Sequence, residues 1–300
     1  MERVKLSENL EISKIVHGHW RLVEWNLSKL ELLKLTKQNI DLGITTFDHA
    51  DIYGNYNCEE LFGDAIKLES GIRNNIELIT KCGIKLISDK FPSRKTKSYD
   101  YSFKHIISSV ENSLKNFNTD YIDMLLLHRP SPFFNPNEVA EAFSKLKKEG
   151  KVLNFGVSNF NPQQFDMLNS FVEEPLVTNQ IEISPFCLEH FQNGNMDSLI
   201  TNKIKPMAWS PLGGGSILNP SCSKGEKLLD SINEVAEELN VTKLDSLIYS
   251  WLLNHPASII PVVGTSKIDR IKNAIESTQI KMSAEQWQKI YVASLGEELP

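Results

Sequence analysis

Four side chains suited to proton chemistry recur along the chain: Asp48, Tyr53, Lys81 and His128. Asp48 and Tyr53 lie five apart in Phe47-Asp48-His49-Ala50-Asp51-Ile52-Tyr53-Gly54. Lys81 sits in Leu78-Ile79-Thr80-Lys81-Cys82-Gly83, and His128 closes Leu125-Leu126-Leu127-His128-Arg129-Pro130. A tyrosine hydroxyl can hand a proton to a carbonyl oxygen, but its ordinary pKa of about 10 makes it a sluggish donor near neutrality. Lowering that value by about three units costs about 4 kcal/mol. One ammonium ~4 Å away, at an effective dielectric of about 20, supplies that amount. The expectation is therefore Tyr53 as acid, Lys81 as the cation that lowers its pKa, and Asp48 as the anchor that keeps Lys81 charged and aimed. A neutral His128 would orient the carbonyl and stabilise charge developing on its oxygen. A lysine in such a place also suits a Schiff-base isomerase or aldolase, a reading the tyrosine partner makes poorer.

What must hold these groups together is legible in the apolar runs. Short, β-branched or aromatic segments occur at Ile15–His19, Ile44–Asp48, Ile76–Thr80, Ile122–Leu127, Asn154–Val157, Val177–Gln180, Pro206–Ala208 and Ile259–Val262, as strands covered on both faces require. Helical patterns separate them. Ser28 caps one that Gly43 ends, Asn137 and Gly150 bracket another, and Asn161-Pro162 starts a third. Later ones follow around Leu228–Leu239 and Leu244–Leu252. Val4–Leu6 and Leu10–Ile12 read as a hairpin ahead of the first strand. Eight strand–helix alternations without a composition break predict one α/β domain over residues 1–300, a (β/α)8 TIM barrel with an N-terminal β-hairpin. No GxGxxG follows a strand, which argues against a Rossmann domain. In such barrels chemistry sits at the carboxyl ends of strands, where Asp48, Lys81 and His128 end the second, third and fourth. A lone Asp or His there usually caps a loop; three successive strand ends with these types point to catalysis.

In this order, on this kind of barrel, the tetrad resembles that of the aldo-keto reductases. The resemblance runs from about Ile15 to Ile275 and includes Gly156-Val157-Ser158-Asn159-Phe160, Asn179-Gln180-Ile181-Glu182 and Trp209-Ser210-Pro211-Leu212. It implies reduction of an aldehyde or ketone to an alcohol with a nicotinamide cofactor, a small-molecule carbonyl compound being the partner. Ser158, Asn159 and Gln180 are then the groups for the carboxamide, and Trp209 the platform for the ring, in place of the more usual tyrosine. Trp20 and Asp48 border the same pocket. Ser210, Leu212 and Gly213 resemble the loop around the pyrophosphate. Gly264, Lys267 and Arg270 resemble the 2′-phosphate site, which favours NADP(H) over NAD(H). The pattern departs at Asn273 and Ala274, where the family carries an acid then asparagine, and at His49, where it has a small hydroxyl residue. An alternative from another class is a cofactor-binding sensor with little turnover, against which the complete tetrad argues.

Composition bounds the rest. The chain has 300 residues, 41 % hydrophobic and 23 % charged, which disfavours disordered and fibrous classes. A net charge of −6 with no basic tract argues against nucleic-acid and anionic-membrane partners. Cys58, Cys82, Cys187 and Cys222 have no paired spacing, and no window is long and apolar enough to cross a bilayer, so a cytoplasmic setting is expected. His17 and His19 point to one face of the first strand, but no third ligand joins them at zinc spacing, so packing or pocket lining is the expected role and no metal is assigned. Trp20, Trp25, Tyr56 and Phe186 suggest an aromatic substrate pocket.

Overall fold

A computed structural model describes residues 1–299. Eight strands, numbered here in chain order, form a closed parallel barrel with helices in the connections. They are β1 (Val16–Gly18), β2 (Thr46–Asp48), β3 (Glu77–Cys82), β4 (Met124–Leu127), β5 (Phe155–Ser158), β6 (Leu176–Glu182), β7 (Met207–Trp209) and β8 (Ile260–Val263). An antiparallel hairpin, Arg3–Ser7 with Leu10–Ser13, precedes them. Each predicted apolar run overlaps one strand, with ends shifted: β3 continues through Lys81 to Cys82, and β6 beyond Gln180 to Glu182.

Internal contacts gather into two compact units, Met1–Asn179 and Gln180–Pro300. In the first, Leu32, Phe47, Phe62, Leu78 and Phe117 belong to one buried cluster. Helix starts follow local chemistry. Ser28 and Glu31 form a reciprocal capping box at helix Lys29–Asp41, and Asn161 with Gln164 does the same at Pro162–Asn169. Asn135, not Asn137, caps Pro136–Lys148, because Pro136 fits the first helical position, where a missing N–H costs nothing. In the second unit, Ile181, Ala208, Ile232, Leu247 and Trp251 lie in another cluster. Trp251 and Trp287 stack with ring centroids 4.6 Å apart, and each indole N–H donates to the other residue's carbonyl. This fastens the last helix, Ala284–Leu295, onto Leu244–Leu253.

Candidate active site

Strand register brings the polar residues of the first unit onto one face. Asp48 pairs with Ile79, and Lys81 stands two residues beyond Ile79. Lys81 pairs with Leu126, and His128 stands two beyond that. Leu126 pairs with Gly156, and Ser158 again stands two further on. Since side chains alternate with a period of two, Asp48, Lys81, His128 and Ser158 project the same way, each a step further along the sheet. Tyr53 comes from the turn after β2, its N–H bound to the Ala50 carbonyl at 3.1 Å.

Lys81 is the hub. Its side chain is fully buried, and Nζ donates to both oxygens of Asp48 at 2.8 Å, to the His49 carbonyl at 2.7 Å and to the Tyr53 hydroxyl at 3.1 Å. Burial alone would push the Lys81 pKa down, but the Asp48 carboxylate and Tyr53 oxygen outweigh it, and the value is raised, so the group is an ammonium. Both Asp48 oxygens thus accept from the Lys81 ammonium.

The tyrosine differs from expectation. Its pKa is raised, not lowered: burial is the largest influence, and Asp48 offsets part of the Lys81 pull. A cation already matched by a carboxylate cannot depress the phenol as an isolated ammonium would. Tyr53 is therefore a protonated hydroxyl with a cation already at its oxygen.

His128 packs edge-on against Tyr53, ring centroids 5.7 Å apart. Burial, then Lys81, Arg129 and Lys97, hold its pKa well below the ordinary histidine value, so the ring is neutral. Nδ1 is buried with no partner. Placing the ring proton on Nε2 leaves Nδ1 an unused acceptor rather than a stranded donor, the less costly arrangement. That makes Nε2–H available to a carbonyl oxygen.

Around this set, Ser158 is buried and Asn159 takes a left-handed φ of 62°. The Asn159 amide donates to the Ser158 hydroxyl at 2.8 Å and to the His128 carbonyl at 3.3 Å. Trp20 is 59 % exposed. His49, the departure from the family pattern, turns away from the tetrad: its Nε2 lies 2.8 Å from Nδ1 of His19, between Phe62 and Phe117. His19 is fully buried there, so it does not line a pocket. Trp25 packs on His17 and His19 rather than on open space. The hydroxyl of Tyr56 is engaged by Arg94 at 2.7 Å and the Leu86 N–H at 2.9 Å. Two of the aromatics expected to line a pocket are thus committed elsewhere. The carbonyl of His49, the third kind of acceptor on Lys81, has no sequence signal, being backbone.

In the second unit, Gln180 pairs with Met207, and Trp209 lies two residues beyond Met207, so Gln180 and Trp209 share a face. Ser210 has a left-handed φ of 50°, and its carbonyl accepts from the Gly213 N–H at 2.8 Å, opening the turn Gly213–Gly215 after Leu212. Gly213 itself has φ 57°, a conformation glycine adopts freely. Gly264 follows β8, and the next helix, Ile268–Glu276, starts without a side-chain cap, with exposed Lys267 at its N-cap and Arg270 in its first turn. Uncapped N–H groups beside two cations form a donor set suited to phosphate oxygens. Asn273, one turn on, donates through Nδ2 to both oxygens of Asp245 at 3.0 Å. Among the described residues no His, Cys, Asp and Glu cluster could hold a metal, and no helix is long and apolar enough to cross a membrane.

Comparison with known proteins agrees with this architecture. The sequence profile described as Aldo/keto reductase family matches residues 14–294. "Uncharacterized oxidoreductase YcsN" of Bacillus subtilis is 49 % identical over 300 residues, covering 100 % of both chains. A 6-dehydroglucose reductase of Agrobacterium fabrum is 38 % identical over 300 residues, again covering 100 % of both. Among solved structures, a thermostable aldo-keto reductase, Tm1743, matches with a TM-score of 0.82 at 24 % identity, over 98 % of this chain and 100 % of that one, a likeness of fold.

Proposed function

The chain belongs to the aldo/keto reductase family, and on that premise we propose that it reduces an aldehyde or ketone to the alcohol with NADPH, Tyr53 giving the proton. The observation that carries this reading is the coordination of Lys81: a buried ammonium on the Asp48 carboxylate with the Tyr53 hydroxyl at 3.1 Å. When bound, the nicotinamide supplies the hydride for the carbonyl carbon. His128 donates from Nε2 to the carbonyl oxygen and fixes its direction. Tyr53 passes its proton to that oxygen, and the phenolate left behind is met by Lys81. Asp48 keeps Lys81 charged throughout, so the cation has no need to be recruited during the reaction.

Ser158 and Asn159 in the first unit, and Gln180 and Trp209 in the second, are the residues we assign to the nicotinamide, with Trp20 and Asp48 beside it. Ser210, Leu212 and Gly213 are assigned to the pyrophosphate. Gly264, Lys267 and Arg270 are assigned to the 2′-phosphate, which gives the preference for NADPH. Asn273 is assigned to the adenine, with its amide nitrogen already given to Asp245. The 6-dehydroglucose reductase relatives, 38 % and 34 % identical, support a polar aldehyde over a flat apolar one, as does the commitment of Trp25 and Tyr56 to other contacts.

The test is cofactor consumption with a panel of aromatic, short-chain and sugar-derived aldehydes, run with NADPH and with NADH. The reading predicts turnover on at least one aldehyde with a clear NADPH preference. Tight NADPH binding without turnover across the panel would replace it with a sensing role.

A further inference from the structure

Two histidines beside the tetrad form a pair whose polarity the proposed chemistry does not use. His19 directly follows β1 and His49 directly follows β2, and both are fully buried. His19 Nδ1 lies 2.8 Å from His49 Nε2. The box around them is aromatic. Phe47 stacks on His19 with ring centroids 5.7 Å apart, Phe62 lies 4.9 Å from His19 and 4.7 Å from His49, and Phe117 stands edge-on to His49 at 5.0 Å. Burial, the largest influence on each ring, holds both neutral. Two neutral imidazoles carry two N–H groups on four nitrogens. One N–H fills the shared bond, so the other sits on an outer nitrogen. His19 Nε2 and His49 Nδ1, the outer nitrogens, are both buried with no hydrogen-bond partner among the described residues. Phenylalanine would fill the same box without stranding a donor, so packing does not account for the pair.

The pair reaches Lys81 through the backbone. The Asp48–His49 peptide is fixed from both neighbouring strands: the Asp48 carbonyl accepts from the His19 N–H at 2.9 Å, and the His49 N–H donates to the Ile79 carbonyl at 2.8 Å. β2 ends there. The next carbonyl, that of His49, accepts instead from a side chain, Lys81 Nζ, at 2.7 Å. Two residues on, the Asp51 N–H returns to the Lys81 carbonyl at 3.0 Å. Between these fixed points the direction of the His49 carbonyl turns on the torsion at its own Cα, and the ring on that Cα is held by His19. An ammonium has three N–H groups, and here they face four oxygens. While the carbonyl keeps one N–H, the Asp48 carboxylate and the Tyr53 hydroxyl share the other two. A carbonyl that swings away frees its N–H for the carboxylate, the stronger acceptor. Nζ is then drawn off the Tyr53 oxygen, already the longest of these contacts at 3.1 Å.

Building on the reductase reading above, we infer that His49 is a positioning residue for the proton transfer: its ring, bonded to His19, aims the His49 carbonyl at Lys81 and so keeps the ammonium on Tyr53. The pair acts through that carbonyl, and its stranded nitrogen is the cost of a polar clamp in an apolar box.

The experiment compares wild type with His49→Phe, His19→Phe and the double variant, with His49→Gln as the conservative replacement. Two readouts are taken on the full chain: steady-state kinetics with NADPH and a reducible aldehyde, and the 1H–15N signal of the Lys81 ammonium, assigned by its loss in Lys81→Met. Either single Phe variant lowers kcat about tenfold, the scale of one hydrogen bond. KM stays within about twofold, as for an interaction realised in the transition state. Exchange of the Lys81 ammonium protons with water speeds up by about tenfold in the same variants. The double variant loses no more than either single one, because both break one bond. His49→Gln, which keeps a polar group toward His19, recovers part of the loss. Wild-type kcat in either Phe variant overturns the proposal. A lower kcat with an unmoved Lys81 signal overturns it as well, since the pair is then merely structural. His19→Phe, which leaves His49 in place, keeps the test open if His49→Phe does not fold. A wild-type protein that turns over no aldehyde removes the reductase reading, and the Lys81 signal then still decides whether His49 holds the ammonium.

Discussion

Replacing Asp48 by asparagine preserves shape and one acceptor but removes the charge opposite Lys81. Nζ would keep the His49 carbonyl and the Tyr53 hydroxyl as acceptors, so the loss is that of a counter-ion inside a closed site. At the 2.8 Å contact and an effective dielectric of about 20, the attraction is roughly 6 kcal/mol. Desolvation offsets part of that in the intact pair, and removing one member of a buried pair costs about 3–5 kcal/mol of folding stability. The sign of the pH dependence is more diagnostic than the size. In the wild-type protein the folded Lys81 pKa lies above the unfolded value of about 10.4. Its contribution is therefore complete below that pH and is lost as pH rises through the folded value. In Asp48→Asn burial dominates and the folded pKa drops below the unfolded one. Stability then increases with pH up to about pH 10, by as much as ~1.4 kcal/mol per unit. Urea denaturation followed by tryptophan fluorescence, at intervals from about pH 7 to pH 10, gives both quantities as a wild-type minus variant difference. A loss under about 1 kcal/mol, with parallel pH curves, would refute the role given to Asp48.

Four further outcomes follow from the same structure. His19, His49 and His128 are held neutral by burial, their pKa values well below the ordinary one; a depressed histidine is stabilising above the unfolded pKa of about 6.5, and that stability is lost as pH falls, at up to ~1.4 kcal/mol per unit for each ring. The urea midpoint should drop steeply below about pH 6.5, and His49→Gln should flatten the slope by about one proton. Gly63→Ala, which in an open helix gains about 1 kcal/mol, should instead lower Tm, because its Cβ would lie 2.0 Å from the Asn116 carbonyl oxygen; a loss of about 2 kcal/mol is expected in a thermal melt. Lys267→Ala and Arg270→Ala should each weaken NADPH binding by about tenfold, the loss of one charge-assisted contact, while leaving NADH affinity within about twofold in fluorescence titrations. Tyr53→Phe should bind NADPH normally in a fluorescence titration yet lose turnover in steady-state NADPH oxidation.

The fold was open to sequence reading because each barrel strand is a short apolar run, and the chemistry-bearing residues follow those runs in order. Register then converts Asp48, Lys81, His128 and Ser158 from strand ends into one face. The direction of the Tyr53 shift was not legible, since it depends on burial and on how fully Asp48 neutralises Lys81, and neither is a property of spacing. Asn135 and Asn137 are alternative caps by type, and only the fit of Pro136 decides between them. The His19–His49 pair and the Trp251–Trp287 clasp join residues 30 and 36 positions apart, on faces that periodicity leaves equivalent. Trp25 and Tyr56 have the right type for a pocket wall, but the packing of Trp25 on His17 and His19 and the bond from Arg94 to the Tyr56 hydroxyl are not signalled by spacing.

Tyr53 is the proposed proton donor for carbonyl reduction. This role is tested most directly by a single-turnover mix of NADPH-loaded protein with a reducible aldehyde, comparing wild type and Tyr53→Phe after matching their NADPH affinities. Equal affinities are expected, with a fall in the hydride-transfer rate of about a hundredfold or more, the scale of a lost general acid. A variant that oxidises NADPH at the wild-type rate would contradict it and move the proton to another group.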